Sequence, residues 1–226
     1  MLSFNGVTKF YNGGPAALDS VSFSVNPGEF VSIVGHSGAG KSTLLKMMLA
    51  ETLPSEGEVI FEDKNIAYMG GGDVRELRRR IGTVFQDFRL LPTKTIYENI
   101  SFAMEAAGQG DSDIYADVPH ALDLVDIKDK MHNFPHELSG GEQQRVAIAR
   151  AIVNQPDIII ADEPTGNLDP INTYEVVQIL KKINDLGATV ILTTHNKGVI
   201  DSLGKRVITM DEGKIVRDDE SGRYSL

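Results

Sequence analysis

The segment that most constrains the fold of this chain is GHSGAGKST, at residues 35–43. From Gly35 to Ser42 it fits the pattern G-x-x-x-x-G-K-[ST], with the apolar stretch EFVSIV before it and STLLKMML after it. Glycines let the backbone N–H groups of such a loop turn inward around phosphate groups. A chance glycine-rich turn would not require a strand before it and a helix after it. The pattern therefore predicts a strand, a phosphate-binding loop and a helix in direct succession.

Two side chains of this loop have predicted roles of their own. Lys41 can reach the β- and γ-phosphates of a nucleotide, and the Ser42 hydroxyl is placed to bind Mg²⁺. We therefore expect a nucleotide with a triphosphate tail, together with Mg²⁺. The predicted phosphate-binding residues are Gly35, His36, Ser37, Gly38, Ala39, Gly40, Lys41, Ser42 and Thr43.

A second candidate segment is IIIADEPTGNLD (158–169), in which an apolar strand ends in two adjacent acids, Asp162 and Glu163. In a parallel sheet, ligands bind outside the carboxyl ends of the strands, so this strand can bring its acids beside the loop. Asp162 then suits Mg²⁺ coordination, and Glu163 can accept a proton from an attacking water. Alone, a strand ending in Asp-Glu fits the start of a solvated loop equally well. The nearby phosphate-binding loop favours the metal and water roles.

Two further predicted strands also end in polar side chains, Gln86 after TVF and His195 after TVILTT. The Gln86 amide can contact both Mg²⁺ and the water, and His195 can hydrogen-bond the γ-phosphate. A lone histidine is more often structural than catalytic, but here several strand ends deliver polar groups to one rim. We predict Lys41, Gln86, Glu163 and His195 as catalytic residues, and Ser42, Gln86 and Asp162 as metal ligands.

Predicted strands and helices alternate along the chain, which is typical of a parallel sheet covered on both faces. The first sixty residues read as short strands, and from Thr95 to near Val153 the pattern turns helical. We predict a single α/β domain over residues 1–226. Its nucleotide-binding core comprises residues 1–86 and 152–226, and residues 87–151 form an inserted helical subdomain.

Composition limits the classes of function. The chain has 22 Lys and Arg against 32 Asp and Glu, and the net charge of −10 disfavours non-specific binding to nucleic acid, so no nucleic-acid partner is expected. No stretch without charged residues approaches the roughly 20 residues of a membrane span, and the first residues do not resemble a secretory signal. The absence of cysteine excludes disulfides and thiolate metal sites.

A second glycine-rich segment, ELSGGEQQRVAIARA (137–151), raises a separate question. Ser139 and Glu142 fit a capping box at the start of a helix, worth about 1 kcal/mol. The box does not explain Gly140 and Gly141, because each glycine costs roughly 0.8–1 kcal/mol relative to alanine in a helix. Two consecutive glycines are expected if another group must approach the backbone closely. The N-terminus of a helix is a favourable site for a phosphate group. Since the loop at Gly35 already holds one triphosphate, this segment can serve the nucleotide of another chain.

In this order, the motifs resemble those of the nucleotide-binding domain of ABC ATPases, over the whole chain. LSGGE (138–142) is similar to the signature sequence of the family, with Glu142 where Gln is commoner, and GNLD is similar to its D-loop with Asp169. Gln86 matches the Q-loop residue and His195 the switch histidine. Tyr11 matches the aromatic residue that stacks on adenine, although the sequence alone fits a buried strand aromatic equally well.

The resemblance implies a P-loop NTPase core of the ABC-ATPase type, with an antiparallel β subdomain and an inserted α-helical subdomain. It also implies ATP as the nucleotide, ATP hydrolysis as the reaction, and an ATP-dependent homodimer that holds two ATP molecules between head-to-tail subunits. The further nucleotide-binding residues that it implies are Tyr11, Ser139, Gly140, Gly141, Glu142 and Asp169.

More narrowly, GHSGAGKSTLLK, VFQDFRLLPTKTIYENISFAM and NFPHELSGGEQQRVAIARA resemble the bacterial cell-division ATPases. That resemblance implies an FtsX-like integral membrane partner, regulation of cell-wall hydrolysis, and a peripheral location at the cytoplasmic face of the bacterial membrane. The alternative is the energising subunit of an ABC transporter of the lipoprotein-release, macrolide-export or amino-acid type. The two alternatives share all of the chemistry and differ in the partner.

The expected docking surface for that partner lies in the region after Gln86. Its apolar side chains, Phe88, Leu90, Leu91, Ile96 and Tyr97, fit either a groove for a partner helix or the core of the subdomain. The resemblance disfavours the soluble ABC ATPases of chromosomes and translation, because this sequence shows neither the long coiled-coil insertion of the former nor the two cassettes of the latter. Since Lys41, Glu163 and His195 are all present, the sequence favours an active hydrolase over an inactive binding protein.

Overall fold

The larger of two β-sheets positions most of the predicted site. The structure, a computed structural model, describes residues 1–220 and 222. The larger sheet contains, in spatial order, β10 (Lys214–Asp219), β9 (Arg206–Asp211), β3 (Phe30–Val34), β8 (Thr189–Thr193), β7 (Ile158–Asp162) and β6 (Ile81–Phe85). The strands from β9 to β6 are parallel, and β10 pairs antiparallel with β9. Every residue of β3 and β8 is buried, as expected for parallel strands covered on both faces.

The smaller sheet is antiparallel and comes from the first part of the chain. Its order is β2 (Ala16–Val25), β1 (Leu2–Phe10), β4 (Glu56–Phe61) and β5 (Lys64–Asn65). Apolar and polar residues alternate along β2, so that one face of the sheet is buried. The predicted antiparallel β subdomain corresponds to this sheet, and the mixed α/β class predicted from the sequence is confirmed.

Helices cover the larger sheet and occupy most of the middle of the chain. They are α1 (Lys41–Met48), α2 (Gly71–Arg79), α3 (Ile96–Ala107), α4 (Asp111–Leu124), α5 (Gly140–Ile152), α6 (Pro170–Asp185) and α7 (Lys197–Leu203). Short 3₁₀ turns lie at Ile66–Tyr68, Lys128–Lys130 and Pro135–Glu137. In the part of the chain that the structure describes, no helix has the length and apolar character needed to cross a bilayer.

Two hydrophobic clusters form most of the core. One cluster joins the two sheets through α1 and includes the stacked rings of Phe4 and Phe23, whose centroids are 4.8 Å apart. The other joins α3, α4 and α5 to the sheet, with Ile100 and Val118 from the helices packed in the same cluster as Ile159. The helical segment and the core therefore share one apolar interior. The predicted boundaries at 87 and 151 stay predictions, and residues 221 and 223–226 of the predicted core lie outside the described residues.

Gly82, in β6, allows α5 to pack directly on the sheet. A Cβ atom at Gly82 would lie 2.2 Å from the carbonyl oxygen of Ala151 and 2.8 Å from Cδ1 of Ile159. The first contact is with backbone at the end of α5, which cannot move without shifting the helix. Close approach of α5 to β6 therefore depends on the absence of a side chain at this position.

We predict that Gly82→Ala destabilises the protein by about 2 kcal/mol or more, because the added methyl group overpacks a buried contact. Urea denaturation followed by far-UV circular dichroism measures the change. The matched control is Gly72→Ala in α2, where a Cβ atom would have no neighbour within 4 Å. That control should leave stability unchanged or raise it slightly, because alanine favours a helix. Equal stability of the two variants would contradict the packing argument.

Candidate functional site

The carboxyl edge of the larger sheet surrounds a cavity of about 650 Å³. The residues that follow β3, β6, β7 and β8 all line it, because the carboxyl ends of parallel strands meet at one edge of a sheet. The structure thus brings together all of the predicted catalytic residues and metal ligands. The lining residues are Ala17, Gly35, His36, Ser37, Gly38, Ala39, Gly40, Lys41, Ser42, Thr43, Gln86, Asp162, Glu163 and His195.

The glycine-rich loop connects β3 to α1, and two of its glycines have no room for a side chain. A Cβ atom at Gly35 would lie 2.4 Å from the Met210 carbonyl oxygen, and one at Gly40 would lie 2.7 Å from that of Ala17. Gly40 also has φ +102°, which residues with a Cβ atom rarely adopt. These two positions set the path of the loop. The N–H groups at the start of α1 and the loop amides then supply donors for an anion.

Lys41 and His195 both lie beside Glu163. The Lys41 ammonium donates to the carbonyl oxygens of Gly35 at 2.7 Å and His36 at 3.2 Å, and lies 3.8 Å from Glu163 Oε1. Nδ1 of His195 lies 2.9 Å from Glu163 Oε2. The Glu163 backbone has φ +48°, a left-handed conformation that is uncommon for glutamate. The carboxylate is therefore fixed between a cation and an imidazole at the rim of the cavity.

Thr193 is a positioning residue that the sequence did not reveal. It ends β8, and its hydroxyl donates to Asp162 Oδ1 at 2.6 Å. The backbone N–H of Glu163 donates both to the Thr193 carbonyl oxygen at 3.1 Å and to its hydroxyl oxygen at 3.0 Å. Thr193 therefore sets the positions of both acids. The only sequence signal is its place in TTH, two residues before His195.

Asn167 is a second residue that sequence reasoning missed. Gln86 Nε2 donates to Asn167 Oδ1 at 3.1 Å, and Asn167 Nδ2 donates to the Gln86 carbonyl oxygen at 3.2 Å. A Cβ atom at the neighbouring Gly166 would lie 2.7 Å from Gln86 Nε2, so glycine there admits the glutamine side chain. This pairing joins the segment after β6 to the segment after β7. Because the amide nitrogen of Gln86 is used in this pair, Oε1 is the side-chain atom of Gln86 that remains for a metal ion.

Three side chains that line the cavity carry oxygens that suit a hard divalent cation. The Ser42 hydroxyl, Gln86 Oε1 and the Asp162 carboxylate belong to side chains that line the same cavity. Asp162 uses Oδ1 to accept from Thr193, and Oδ2 has no hydrogen-bond partner among the described residues. Hydroxyl, amide and carboxylate oxygens are the donors that Mg²⁺ takes in proteins, usually together with phosphate oxygens. The donor set therefore fits the predicted metal.

The second predicted phosphate site, at the start of α5, does not line this cavity. Ser139 caps α5: its hydroxyl accepts from the Glu142 N–H at 3.3 Å, and Glu142 Oε2 accepts from the Ser139 N–H at 2.7 Å. Ser139 and Gly140 are exposed. A helix start with exposed residues, outside the cavity of its own chain, is open to a ligand carried by a neighbouring molecule.

Gly141 is a glycine for a different reason from the one predicted. It is buried, and a Cβ atom there would overlap the Asn172 side chain, with Oδ1 at 1.8 Å. Asn172 Nδ2 in turn donates to Asp169, which caps α6 by accepting from the N–H groups of Ile171 at 2.9 Å and Asn172 at 3.1 Å. Gly141 is therefore a glycine because of a contact within its own chain. Only Gly140 leaves backbone accessible from outside.

Other predicted positions lie outside the cavity. Tyr11 is partly exposed in the turn after β1, where the Lys9 ammonium lies 5.1 Å from its ring centroid, and it is not among the lining residues. Of the apolar residues expected to form a partner surface, Ile96 is fully buried, and Leu90 and Tyr97 pack against the same core cluster. For these three residues the core alternative is the one that the structure supports.

Comparisons with known proteins identify sequence and structural relatives of this chain. A family model described as ABC transporter matches residues 18–166. The cell division ATP-binding protein FtsE of Bacillus subtilis (strain 168) is 49% identical over 224 residues, which are 99% of this chain and 98% of that protein. FtsE of Mycobacterium tuberculosis (strain ATCC 25618 / H37Rv) is 44% identical over 227 residues, 100% of this chain and 99% of that protein. A dimeric, post-hydrolysis structure of the ATP-binding cassette MJ0796 bound to ADP and Pi is 35% identical, with a TM-score of 0.87 over 99% of this chain and 100% of that one.

The cap of α5 has a measurable pH dependence. The hydrogen bonds from the Ser139 backbone and side chain lower the pKa of the Glu142 carboxyl, since they favour its ionised form. A lowered folded-state pKa means that this contribution to stability is present above the unfolded pKa and is lost as pH falls through the folded one. We predict that Glu142→Gln destabilises the protein by about 0.5–1 kcal/mol at neutral pH.

Urea denaturation at several pH values measures this effect. The difference between the parent protein and Glu142→Gln should shrink toward zero as the pH falls below the unfolded pKa of about 4.3. Glu105→Gln, at an exposed site of α3, is the matched control and should show no such trend. A difference that does not change with pH would contradict a charge-dependent cap.

Proposed function

This chain belongs to the ABC transporter family, and we propose that it is the ATP-binding and ATP-hydrolysing subunit of a bacterial cell-division complex. The observation that carries the proposal is the convergence of four strand ends on one cavity, with Lys41, Gln86, Glu163 and His195 among its lining residues. Full-length similarity to the cell-division ATP-binding proteins of Bacillus subtilis and Mycobacterium tuberculosis supports the cell-division role over that of a transporter subunit.

In this proposal the cavity binds the triphosphate of ATP through the loop amides and Lys41. Ser42, Gln86 and Asp162 would hold Mg²⁺, which would supply positive charge against the negative charge that develops on the phosphate oxygens. Glu163 accepts a proton from the water whose oxygen forms a bond to the γ-phosphorus, while the bond from that phosphorus to the bridging oxygen of ADP breaks. His195 holds Glu163 through Nδ1, at 2.9 Å, and its other ring nitrogen is left for the γ-phosphate.

The active assembly is a dimer that encloses ATP between two copies of the chain. Ser139 and Gly140 are exposed and lie outside the cavity of their own chain, so they are available to the γ-phosphate bound by a partner. The dimeric state of the related cassette supports this arrangement. A pair with each helix start facing the cavity of the other chain closes with twofold symmetry. Loss of the γ-phosphate by hydrolysis removes the charge that both helix starts attract, so the pair separates.

Dimer closure acts on an integral membrane partner, FtsX-like, and places the chain at the cytoplasmic face of the membrane. The docking surface in this proposal is the concave face beside the segment after Gln86, which we call the α2–α3 groove. It has a volume of about 510 Å³ and is formed by α2, β6, α3 and the end of α5, with Phe85, Arg89, Phe102 and Arg150 among its lining residues. Residues 87–151, the proposed helical subdomain, contribute seven of the fifteen residues that line this surface. Through this partner, the cycle of ATP binding and hydrolysis regulates cell-wall hydrolysis.

We predict that Glu163→Gln lowers the ATPase rate by about 10²-fold or more, because it removes the proton acceptor for the attacking water. With ATP and Mg²⁺ the same variant should accumulate as a dimer, since ATP is bound and not consumed. Phosphate release and multi-angle light scattering measure the two effects. Glu105→Gln is the matched control and should have the parent rate and no nucleotide-dependent dimer that persists.

Adding Ser139→Arg to Glu163→Gln tests the role of the helix start. The bulky side chain blocks access to α5, so the double variant should stay monomeric with ATP and Mg²⁺. Ser112→Arg, at an exposed position in the first turn of α4, is the control for an added arginine and should leave dimer formation intact. A Ser139→Arg double variant that still forms the dimer would refute the shared site.

A further inference from the structure

The α2–α3 groove differs in charge from the rest of the molecule. The chain has a net charge of −10, yet five of the residues that line this groove are arginines and none of its described lining residues is acidic. The arginines are Arg75, Arg78, Arg79, Arg89 and Arg150. A concentration of one sign in a concave surface raises the local potential and attracts groups of the opposite sign.

Three of these arginines already have partners within the chain or hold part of it in place. Arg78 Nε donates to the Leu49 carbonyl oxygen at 2.9 Å, where α1 ends. Arg89 lies 3.2 Å from Asp87 in an exposed pair, and its guanidinium carbon is 3.6 Å from the centroid of the Phe85 ring. Arg150 is the least exposed of the five arginines.

Arg150 is a half-buried cation without a carboxylate partner among the described residues. It donates to the carbonyl oxygens of Arg89 at 2.6 Å and Phe88 at 2.8 Å, both residues with positive φ. Burial lowers the pKa of its guanidinium, and the charge of Arg89 lowers it further. Removing a cation from water is costly unless an anion compensates it. The floor of the groove therefore favours a carboxylate near Arg150 and Arg89.

The rim adds two cations that have no acceptor among the described residues. Arg75 and Arg79 are exposed and one turn apart on α2. Glu76, beside them on α2, is exposed and does not line the groove. Across the groove, α3 presents Phe102, which is 53% exposed, with Ala103, Ala106 and Ala107 on the same side of the helix. One wall is thus basic and the facing wall is apolar.

We infer that the groove binds an amphipathic helix of the membrane partner whose apolar face is flanked by carboxylates. This inference rests on the proposed function and specifies the chemistry of the docking segment. The apolar side of such a helix packs against Phe102 and the alanines, and its acids pair with Arg75, Arg79 and the Arg150 floor. A helix can enter a concave surface, whereas the headgroups of a flat bilayer reach only its rim. The geometry therefore favours a protein segment over anionic lipid.

The test uses synthetic peptides and the full chain. Three fluorescent amphipathic peptides, each about four helical turns long, share one apolar face and carry Glu, Gln or Lys at the flanking positions. Fluorescence anisotropy should show the Glu peptide binding at least about tenfold more tightly than the Gln peptide, with the Lys peptide weakest. Higher salt should reduce the advantage of the Glu peptide, because it screens the exposed pairs.

Variants assign the binding to the groove. Arg75→Glu with Arg79→Glu should remove most of the preference for the Glu peptide, and its matched control, Lys128→Glu with Lys181→Glu, makes the same change in net charge at exposed sites elsewhere. Phe102→Glu should weaken binding of all three peptides, while Tyr115→Glu, at an aromatic residue of α4 that is 79% exposed, should not. None of these positions lines the ATP cavity, so ATPase activity and ATP-dependent dimerisation should be unchanged.

The outcomes separate the inference from the function on which it rests. Equal binding of the Glu and Gln peptides, with loss on Phe102→Glu, would retain docking in the groove and overturn the acidic preference. Absence of binding by any peptide would overturn both docking in the groove and the acidic preference. Binding that Phe102→Glu leaves intact would overturn both as well. Binding of the chain only to phosphatidylglycerol vesicles, weakened by the Arg75 and Arg79 changes, would assign the cations to lipid and also overturn the inference.

Discussion

The register of the parallel sheet is the constraint on which the site depends. Phe85, Asp162 and Thr193 lie directly opposite one another on β6, β7 and β8, and Ile33 of β3 lies opposite Thr193. The chain therefore leaves each of these strands within one or two residues of this level, which places Gln86, Glu163 and the loop that begins at Gly35 around one space. A slip of one residue in any of these pairings would turn the polar side chains to the other face. Because β3 and β8 are buried along their whole length, such a slip would also disrupt close packing on both faces of the sheet.

Helix α5 connects this edge to the surface proposed for a membrane partner. Its first turn carries the exposed Ser139 and Gly140, and Gln144 Nε2 donates to the Phe85 carbonyl oxygen at 3.4 Å, where β6 ends. Its last turn carries Arg150, whose two hydrogen bonds hold the segment after Gln86. A nucleotide of a second chain that contacts the first turn would bias the position of a rigid element that reaches the groove. Helix α5 and the Gln86–Asn167 pair would then be sufficient to couple the ATP cavity to the groove.

Much of the site follows from the sequence because its motifs fix local backbone geometry. The loop at Gly35–Ser42 requires a strand before it and a helix after it. An apolar strand that ends in Asp162 and Glu163 places these acids at the carboxyl edge of the parallel sheet. Thr193, Asn167 and Arg150 could not be found in this way, since their roles depend on which strands and loops become neighbours. For Ile96 the sequence left a partner groove and the core open, and the structure places it in the core. For Gly141 the sequence suggested the approach of an outside group, whereas the structure has the side chain of Asn172 there. Local patterns identify the elements, whereas packing between distant segments decides such positions.

In the proposed dimer, each ATP is held by the cavity of one chain and the start of α5 of another. An equimolar mixture of Lys41→Ala and Ser139→Arg variants tests this arrangement most directly, because a mixed dimer contains one site with both defects and one site with neither. Each variant alone should lack ATPase activity, and the account predicts that mixing restores it to at most about a quarter of the parent rate if pairing is random in a twofold dimer. A mixture as inactive as its components would contradict the account, since it would place the whole site within a single chain.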